Sequence, residues 1–596
     1  MIRPLFALLL SIGFALSARA ELVVRNPVAG FAGTFIPERF NLVSVEVQNN
    51  SGQPFEGRIS LDDGGMGGNS VPYEQPLFLS PGASRWVQFY PFVSGYQRWQ
   101  LSWRDSGGRG DSMSLIRGDD SIRSDGPVTV IFNAPDSPRS QDSRLHPFLE
   151  NLFPPTVTPT AGLHAAVLDH VPRWDAPRRQ AFRDWVYRGG LVHLLQGVDG
   201  KHPEFADELA PLNIAGDTGF FGAGRIIKHA RPRSTIEEKM LEADPDLQSD
   251  GNGHMTDLSG VIVNRLSDIT KPDIPWGLIY FLTIVYVVLI GPVFYLQRKR
   301  DYRVMLGAFV GTVALFAWLF TVVGRRGYGE KQIVHSIGYA ESLGGNRHAV
   351  TQWMHAFATS SDSYHFQFPG QGHAYAALAS SGTVRAHVTN GPDAAFDADI
   401  PLFSGRPFVH SGTLTGDDTT VEITDWKAVA GQSKSDLSSG RLESLRIKLN
   451  PDFPKKIEWM WIVYRGRVYT MAPSGSEWMT ESATSSEELN ASFSNKEINY
   501  YGGNFNRYYG EEVAGSLEER LKSRLGTLGP LFAAYLTGAK AYTRQRIALP
   551  EDDADSARLL VFARSTEALA VPGKNFQFGG GYILYSQILR NPAAAR

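Results

Sequence analysis

Two uncharged stretches, separated by six residues, constrain this chain more than any other feature. Ile274 to Gln297 (IPWGLIYFLTIVYVVLIGPVFYLQ) holds no formal charge, and neither does Val304 to Gly324 (VMLGAFVGTVALFAWLFTVVG). A helix rises 1.5 Å per residue, so about 20 residues cross a hydrocarbon core of about 30 Å. Both stretches meet that length, and a lipid bilayer is therefore the first expected partner. Trp276 and Tyr280 near one end, with Tyr295 and Tyr302 near the other, are placed as interfacial anchors. Pro292 would break a soluble helix, whereas a membrane bundle can satisfy the freed carbonyl. The reading that competes is a pair of buried core helices.

Between the stretches lie Arg298, Lys299, Arg300, Asp301, Tyr302 and Arg303, four of them basic. Short loops rich in Lys and Arg stay on the cytoplasmic side, so 298–303 is assigned there. The N-terminus gives the same orientation. Arg3 precedes an apolar run from Leu5 to Leu16, and Ala18-Arg19-Ala20 supplies the small-x-small pattern of a cleavage site before Glu21. A retained anchor is the alternative for this segment, but the run is short for a span. The expected topology is a hairpin in a bacterial inner membrane, with residues 21–273 and 325–596 outside the cytoplasm. Within the second span Gly307 and Gly311 form a GxxxG pattern, which lets helix backbones approach closely. Its partner is either the first span or a separate subunit.

Composition excludes several classes. The chain has 596 residues and no cysteine. That removes thiol nucleophiles, thiolate zinc sites, disulfides and lipid-modified cysteines. An extracytoplasmic protein of this size without one disulfide fits a bacterial envelope better than a eukaryotic secretory route. A net charge of −3 gives no electrostatic reason to expect nucleic acid.

The expected fold is a multidomain membrane protein: an N-terminal β-sandwich, a doubly wound α/β domain, a two-helix transmembrane hairpin and a mostly-β C-terminal region. After a signal peptide at 1–20, alternating runs such as Leu42 to Val47 and Trp86 to Tyr90, punctuated by turn clusters, predict the sandwich over 21–123. The Gly-rich Asp62 to Gly68 run lacks a following helix and a Lys-Ser/Thr, so it reads as a hairpin loop. The period then changes. Val128 to Phe132 and Ala165 to Leu168 read as buried strands. Asp175 caps a helix with Pro177 in its first turn; Ala181, Phe182, Trp185 and Val186 form its apolar face, and Gly189-Gly190 ends it before the strand Leu191 to Leu195. Strand, helix and strand with short connections imply a right-handed parallel crossover over 124–233.

The run Phe182-Arg183-Asp184-Trp185-Val186-Tyr187-Arg188-Gly189-Gly190-Leu191-Val192 resembles the helix, W-V, G-G, strand element of class I glutamine-amidotransferase-like domains. The GPVFYLQRKR run closing the first span is similar to that of large bacterial membrane-anchored proteins carrying a degenerate copy of that domain. The resemblance covers about residues 21–330. It implies gene neighbours of the MoxR-type ATPase and von Willebrand A-domain kinds, hence membrane or periplasmic protein partners. Active amidotransferases use a cysteine on a strand-to-helix elbow. This chain has none, so that chemistry transfers to no residue.

Other motifs are weaker. Asp169-His170 in a strand-exit turn, with Asp142-Ser143 upstream, supplies the residue types of a Ser/His/Asp hydrolase, although Asp and His in such turns commonly satisfy local backbone groups. Ser234 to Glu237 has the form of a capping box for a short helix in a linker over 234–273. Asp246, Asp250, Gly251 and Asp257 fall in an EF-hand-like register, but Gln248 and the short Asp257 are poor ligands, and an Asp/Gly-rich linker explains them as well. No metal or cofactor is expected. Beyond the spans, 325–475 is β-rich, with a hairpin around Arg465-Gly466, and 476–596 is α+β, with a helix over Glu511 to Leu525. Tyr501, Phe505 and Tyr508 lie in an aromatic, Gly/Asn-rich run that either stacks on a glycan or a protein partner, or packs on its own sheet. The 14 histidines show no HExxH pair, and the spacings His348/His355 and His365/His373 specify nothing. Three functions remain: a non-catalytic inner-membrane scaffold or assembly protein, an envelope hydrolase or transferase with a Ser/His/Asp site, and a glycan-binding protein.

Overall fold

The computed structural model describes residues 22–33, 35–62, 71–93, 99–115, 128–134, 146–197, 199–236, 258–270, 276–296, 301–328, 331–378, 385–429, 441–465, 467–485, 517–529, 555–569 and 575–593, with Leu241, Lys299 and Phe532. The architecture is mostly β, with two helices long and apolar enough to cross a membrane.

Alternation builds the first layer. In Val43–Asn49 the valines at 43, 45 and 47 are buried, and Leu22–Ala29 and Ser84–Phe89 pair with this strand on either side, antiparallel. The facing sheet contains Phe55–Asp62, Tyr73–Leu79, Gln100–Asp105 and Gly110–Ser114. It does not end there. Ala386–Thr389 runs parallel to Tyr73–Leu79, matching Val388 to Tyr73 and Thr389 to Glu74, and Ala395–Ile400 and Asp362–Phe366 extend the sheet to seven strands. The strands expected to form a sandwich within 21–123 therefore share a sheet with residues from beyond the two apolar helices. The backbone of Tyr73–Leu79 would otherwise present an open edge.

The next six strands form one sheet in the spatial order His146–Leu149, Val128–Asn133, Leu163–Leu168, Leu191–Gln196, Gly224–Pro232, Thr218–Phe221. The first five are parallel and the last antiparallel. Helix α1 (Ala176–Tyr187) starts as the sequence predicts, with the Asp175 side chain accepting from the Arg178 N–H at 3.1 Å. It covers one face of the sheet with Phe182, Trp185 and Val186. Glycine is required where α1 returns to the sheet, because a Cβ at Gly190 would sit 2.6 Å from the Trp185 indole. The other face carries a small cluster of Ile131, Val167, Leu195 and Leu241, and among the described residues α1 is the only α-helix on this sheet. A doubly wound arrangement is thus visible on one side only.

Residues 234–273 are more than a linker. Arg233–Thr235 is one 3-10 turn, and α2 (Leu258–Thr270) follows, burying Ile262, Leu266 and Ile269 along one stripe. Then come α3 (Trp276–Val288), which continues through a π-turn at Leu289–Val293 to Leu296, and α4 (Tyr302–Tyr328). The π-turn coincides with Pro292, which has no N–H for the helical ladder. The two spans touch through Tyr286 and Phe316, ring centroids 5.1 Å apart, and through Phe294 and Phe309 at 6.0 Å.

Eleven strands make the largest sheet. Arg347–Ala358, Gln332–Ser342, Phe576–Arg590, Ser556–Arg564 and Ile457–Tyr464 lie side by side at its centre. The division between 325–475 and 476–596 expected from sequence does not hold, since the last two strands of the chain are central to the earlier ones. Apolar runs such as LLVF and ILY need cover on both faces, which only an interior position gives. The Arg465 hairpin is present, with Arg465 at a φ of 47° and Tyr464 paired to Arg467. Helix α5 (Leu517–Arg524) occupies part of the range expected for Glu511 to Leu525; residues 511–516 lie outside the described residues.

One contiguous apolar core runs from Leu22 to Leu589. Polar contacts tie the two flanks of the hairpin together as well. Arg188 pairs with Glu341, Arg347 with Asp184 at 2.8 Å, and Arg39 meets the Tyr339 hydroxyl. Ser259 of α2 donates to Glu38 and accepts from the Trp353 indole N–H at 2.9 Å. Helix α2 is thereby fastened to residues from both sides of the two apolar helices.

Candidate functional site

In open parallel sheets, ligand crevices form at the carboxyl ends of strands where the strand order reverses. Here that point lies where Val128–Asn133 is flanked by His146–Leu149 and Leu163–Leu168. The strand ends deliver Glu150, Asp169 and His170. Nδ1 of His170 is 2.6 Å from Asp169 Oδ1, and Nε2 is 2.9 Å from Glu150 Oε2. The hydrogen bonds to Asp169 and Glu150 outweigh burial and push the imidazole up to about 9. Burial raises the Asp169 carboxyl, but the hydrogen bond and charge of His170 outweigh it and hold the group below its usual range. The ring is therefore an imidazolium at neutral pH, donating both N–H groups. The Glu150 backbone carbonyl accepts from the Trp174 indole at 2.7 Å, fixing the clamp from behind.

A Ser/His/Asp site needs a ring nitrogen with a free lone pair to take the serine proton. Both nitrogens of His170 are committed to carboxylates instead. Asp142 and Ser143 lie outside the described residues. The sequence pointed to Asp169 and His170 but missed Glu150, which arrives from another strand and carries no local motif.

Other histidines meet in pairs that their spacing did not announce. His193 Nδ1 is 2.9 Å from His229 Nε2, and burial drives His193 down to about 3. His373 Nδ1 lies 3.1 Å from His410 Nε2. The His410 Nδ1 accepts from Gln352 Nε2 at 3.2 Å, and the same amide donates to the Leu569 carbonyl at 2.7 Å. These buried rings are neutral, since desolvation holds His373 and His410 below their ordinary range. His365 turns to Asp397 at 2.7 Å rather than to His373. Among the described residues no group of three His, Asp or Glu side chains is arranged to hold a metal.

A cleft of about 1120 Å³ opens on the eleven-stranded sheet. Asp417, Asp418 and Asp452 line it together with Lys455, Lys456 and Arg564, and Ser565 and Thr566 also border it. Tyr585, kept as a phenol by burial, donates to Asp417 Oδ2 at 3.0 Å. Asp418 accepts from the Thr420 side chain and backbone N–H, which hold its carboxyl below the usual range. Lys456 and Arg564 share Glu518, at 3.6 and 4.0 Å. Sequence reasoning missed this cleft because separate loops converge on it.

Gly307 and Gly311 lie on an exposed face of α4, and a Cβ built at either meets no atom within 4 Å. Of the two partners expected for this pair, the first span meets α4 through aromatic side chains, Tyr286 with Phe316 and Phe294 with Phe309, and not at these glycines. Tyr501, Phe505 and Tyr508, like the signal segment at 1–20 and Asp246 to Asp257, lie outside the described residues. Comparison with family models and with curated proteins finds no match to this chain.

Proposed function

We propose that the chain is a membrane-anchored scaffold of the bacterial envelope, holding one continuous extracytoplasmic body on a two-helix hairpin. The observation that carries this reading is the parallel pairing of Val388 with Tyr73. Strands on either side of the hairpin share a sheet, so both flanks occupy one compartment, and the basic loop between the spans takes the other. The α/β layer that resembles an amidotransferase serves as a platform: α1 anchors it to the large sheet through Asp184–Arg347 and Arg188–Glu341. The double clamp on His170 favours a structural role over a general base, which is why a hydrolase is the weaker reading.

Reporters fused after Gly260, at Asp301 and after Lys331, followed by crosslinking in membranes, test the proposal. Extracytoplasmic signals at the two outer positions, a cytoplasmic signal at Asp301 and specific protein adducts are expected. A cytoplasmic signal at either outer position, or no adduct above a scrambled-target control, overturns it.

A further inference from the structure

One row of side chains crosses three strands of the large sheet. Gln352 of Arg347–Ala358 lies opposite His410 of Ser404–Thr415, and His410 lies opposite Tyr375 of Ala374–Ala377, with His373 just before the last strand. The Gln352 amide has one orientation. Its Nε2 sits 2.7 Å from the Leu569 carbonyl oxygen, a contact that only an N–H makes. The same nitrogen faces His410 Nδ1 at 3.2 Å, so that ring nitrogen must accept. The His410 proton is then on Nε2 and donates to His373 Nδ1 at 3.1 Å, which leaves the His373 proton on its own Nε2. One backbone carbonyl thus sets an amide and the tautomers of two neutral rings.

The chain of bonds runs from just beneath the surface to the interior. Pro369, Gly370 and Gln371 are exposed, His373 is buried, and His410, Gln352 and Leu569 are at most 1% exposed. Gly338 in the neighbouring strand makes room, since a Cβ there would sit 2.7 Å from that of Gln352. The groups facing the two rings are uncharged. Phe368 stacks on both, with centroids 5.3 Å from His373 and 4.9 Å from His410. Tyr375 lies 5.0 Å from His410, and burial keeps it a phenol. Burial and His373 act on His410, and burial and the Pro369 carbonyl act on His373. At the far end, Leu569 closes the turn Glu567–Leu569, and its side chain lies over Gly416, which borders the cleft with Ser565 and Thr566.

We propose that His373, His410 and Gln352 form an acid-released latch on residues 565–569. Each lone pair on the two rings already accepts a hydrogen bond, so an added proton breaks one. His373 is the point of entry, being nearest the exposed turn. A solvent proton taken by its Nδ1 sets an N–H against the N–H of His410. His410 relieves this by releasing its Nε2 proton and taking one at Nδ1, which then opposes the Gln352 N–H. The amide must turn over, and its oxygen meets the Leu569 carbonyl oxygen, so that bond is lost. The net change is one proton bound and one turn let go. Burial holds both rings below the ordinary histidine range, so the latch stays shut in mild acid and opens in stronger acid. The opening is local and reshapes the border of the cleft.

The test is amide hydrogen exchange of the full chain in detergent at pH 7 and pH 4, corrected for the intrinsic rate at each pH. Protection of residues 565–569 is expected to fall at least tenfold at pH 4, while Val43–Asn49 stays protected. His373→Asn should reduce that fall at least fivefold, because the asparagine oxygen can stand where Nδ1 stands and gains no proton. Gln352→Met should loosen 565–569 at pH 7 already and leave little further response to acid. Unchanged protection of 565–569 in the native chain at pH 4 overturns the proposal. So does a full acid response in His373→Asn, or native protection at pH 7 in Gln352→Met. An equal loss over Val43–Asn49 also overturns it, since a global acid transition needs no latch. Should Gln352→Met not fold, the native chain and His373→Asn decide the matter alone. None of these outcomes depends on the scaffold reading or on membrane topology.

Discussion

Val388 and Tyr73 lie side by side in one sheet, although both long apolar helices separate them in the chain. The Val388 N–H donates to the Pro72 carbonyl at 3.0 Å, so the join includes a backbone bond that a single substitution can remove. Val388→Pro deletes that donor in an otherwise covered strand and should destabilise the body by about 3 kcal/mol. Chemical denaturation in detergent measures the loss, and limited proteolysis should place new cuts near residues 71–79. An unchanged midpoint would show that the two flanks fold independently.

The clamp on His170 gives stability a pH dependence with two edges. The imidazole is raised to about 9, so its contribution is complete below the ordinary histidine value near 6.5 and is lost as pH climbs through about 9. Asp169 is lowered, so its contribution is present above the ordinary aspartate value and fades as pH falls below it. Melting temperature measured from pH 4 to 10 should therefore form a plateau between about 5 and 7. His170→Gln should remove the alkaline decline; persistence of the same decline in this variant would assign it elsewhere.

Phe182 carries α1 onto its sheet. Its ring is fully buried among Trp174 at 4.9 Å, Phe153 at 5.5 Å and Phe132 at 6.1 Å. Phe182→Ala leaves a cavity in an aromatic cluster that cannot collapse easily, and should cost about 3–5 kcal/mol. Equilibrium unfolding followed by tryptophan fluorescence reads this directly, because Trp174 and Trp185 flank the void.

Gly307 and Gly311 make the opposite prediction. No atom lies near either Cβ position, so Gly307→Leu and Gly311→Leu should leave the melting temperature of the detergent-solubilised chain unchanged. A fall in either variant would reveal a contact of α4 within the chain.

Legibility in the sequence followed the range of the interactions. The two long apolar helices were visible because their length and apolarity lie in contiguous segments. The start of α1 was visible because Asp175, Pro177 and the apolar stripe lie within a dozen residues. Helix α2 was missed although Ile262, Leu266 and Ile269 keep a helical spacing, because the preceding Asp/Gly-rich stretch suggested a linker throughout. The addition of three later strands to the N-terminal sheet and the central place of Phe576–Arg590 were invisible. Strand pairing leaves no periodic mark that names its partner. The same holds for the site: Asp169 and His170 could be noticed as neighbours, but Glu150 joins them only through parallel packing, and the cleft exists only where distant loops meet.

The position of the last strands also governs how the protein is made. Phe576–Arg590 separates Gln332–Ser342 from Ser556–Arg564 in the finished sheet, so the earlier strands leave the ribosome before the piece that joins them exists. Their apolar edges stay open until Phe576–Arg590 is made. Premature termination before residue 576 therefore leaves an unsealed sheet of the kind that chaperones hold and quality-control proteases remove.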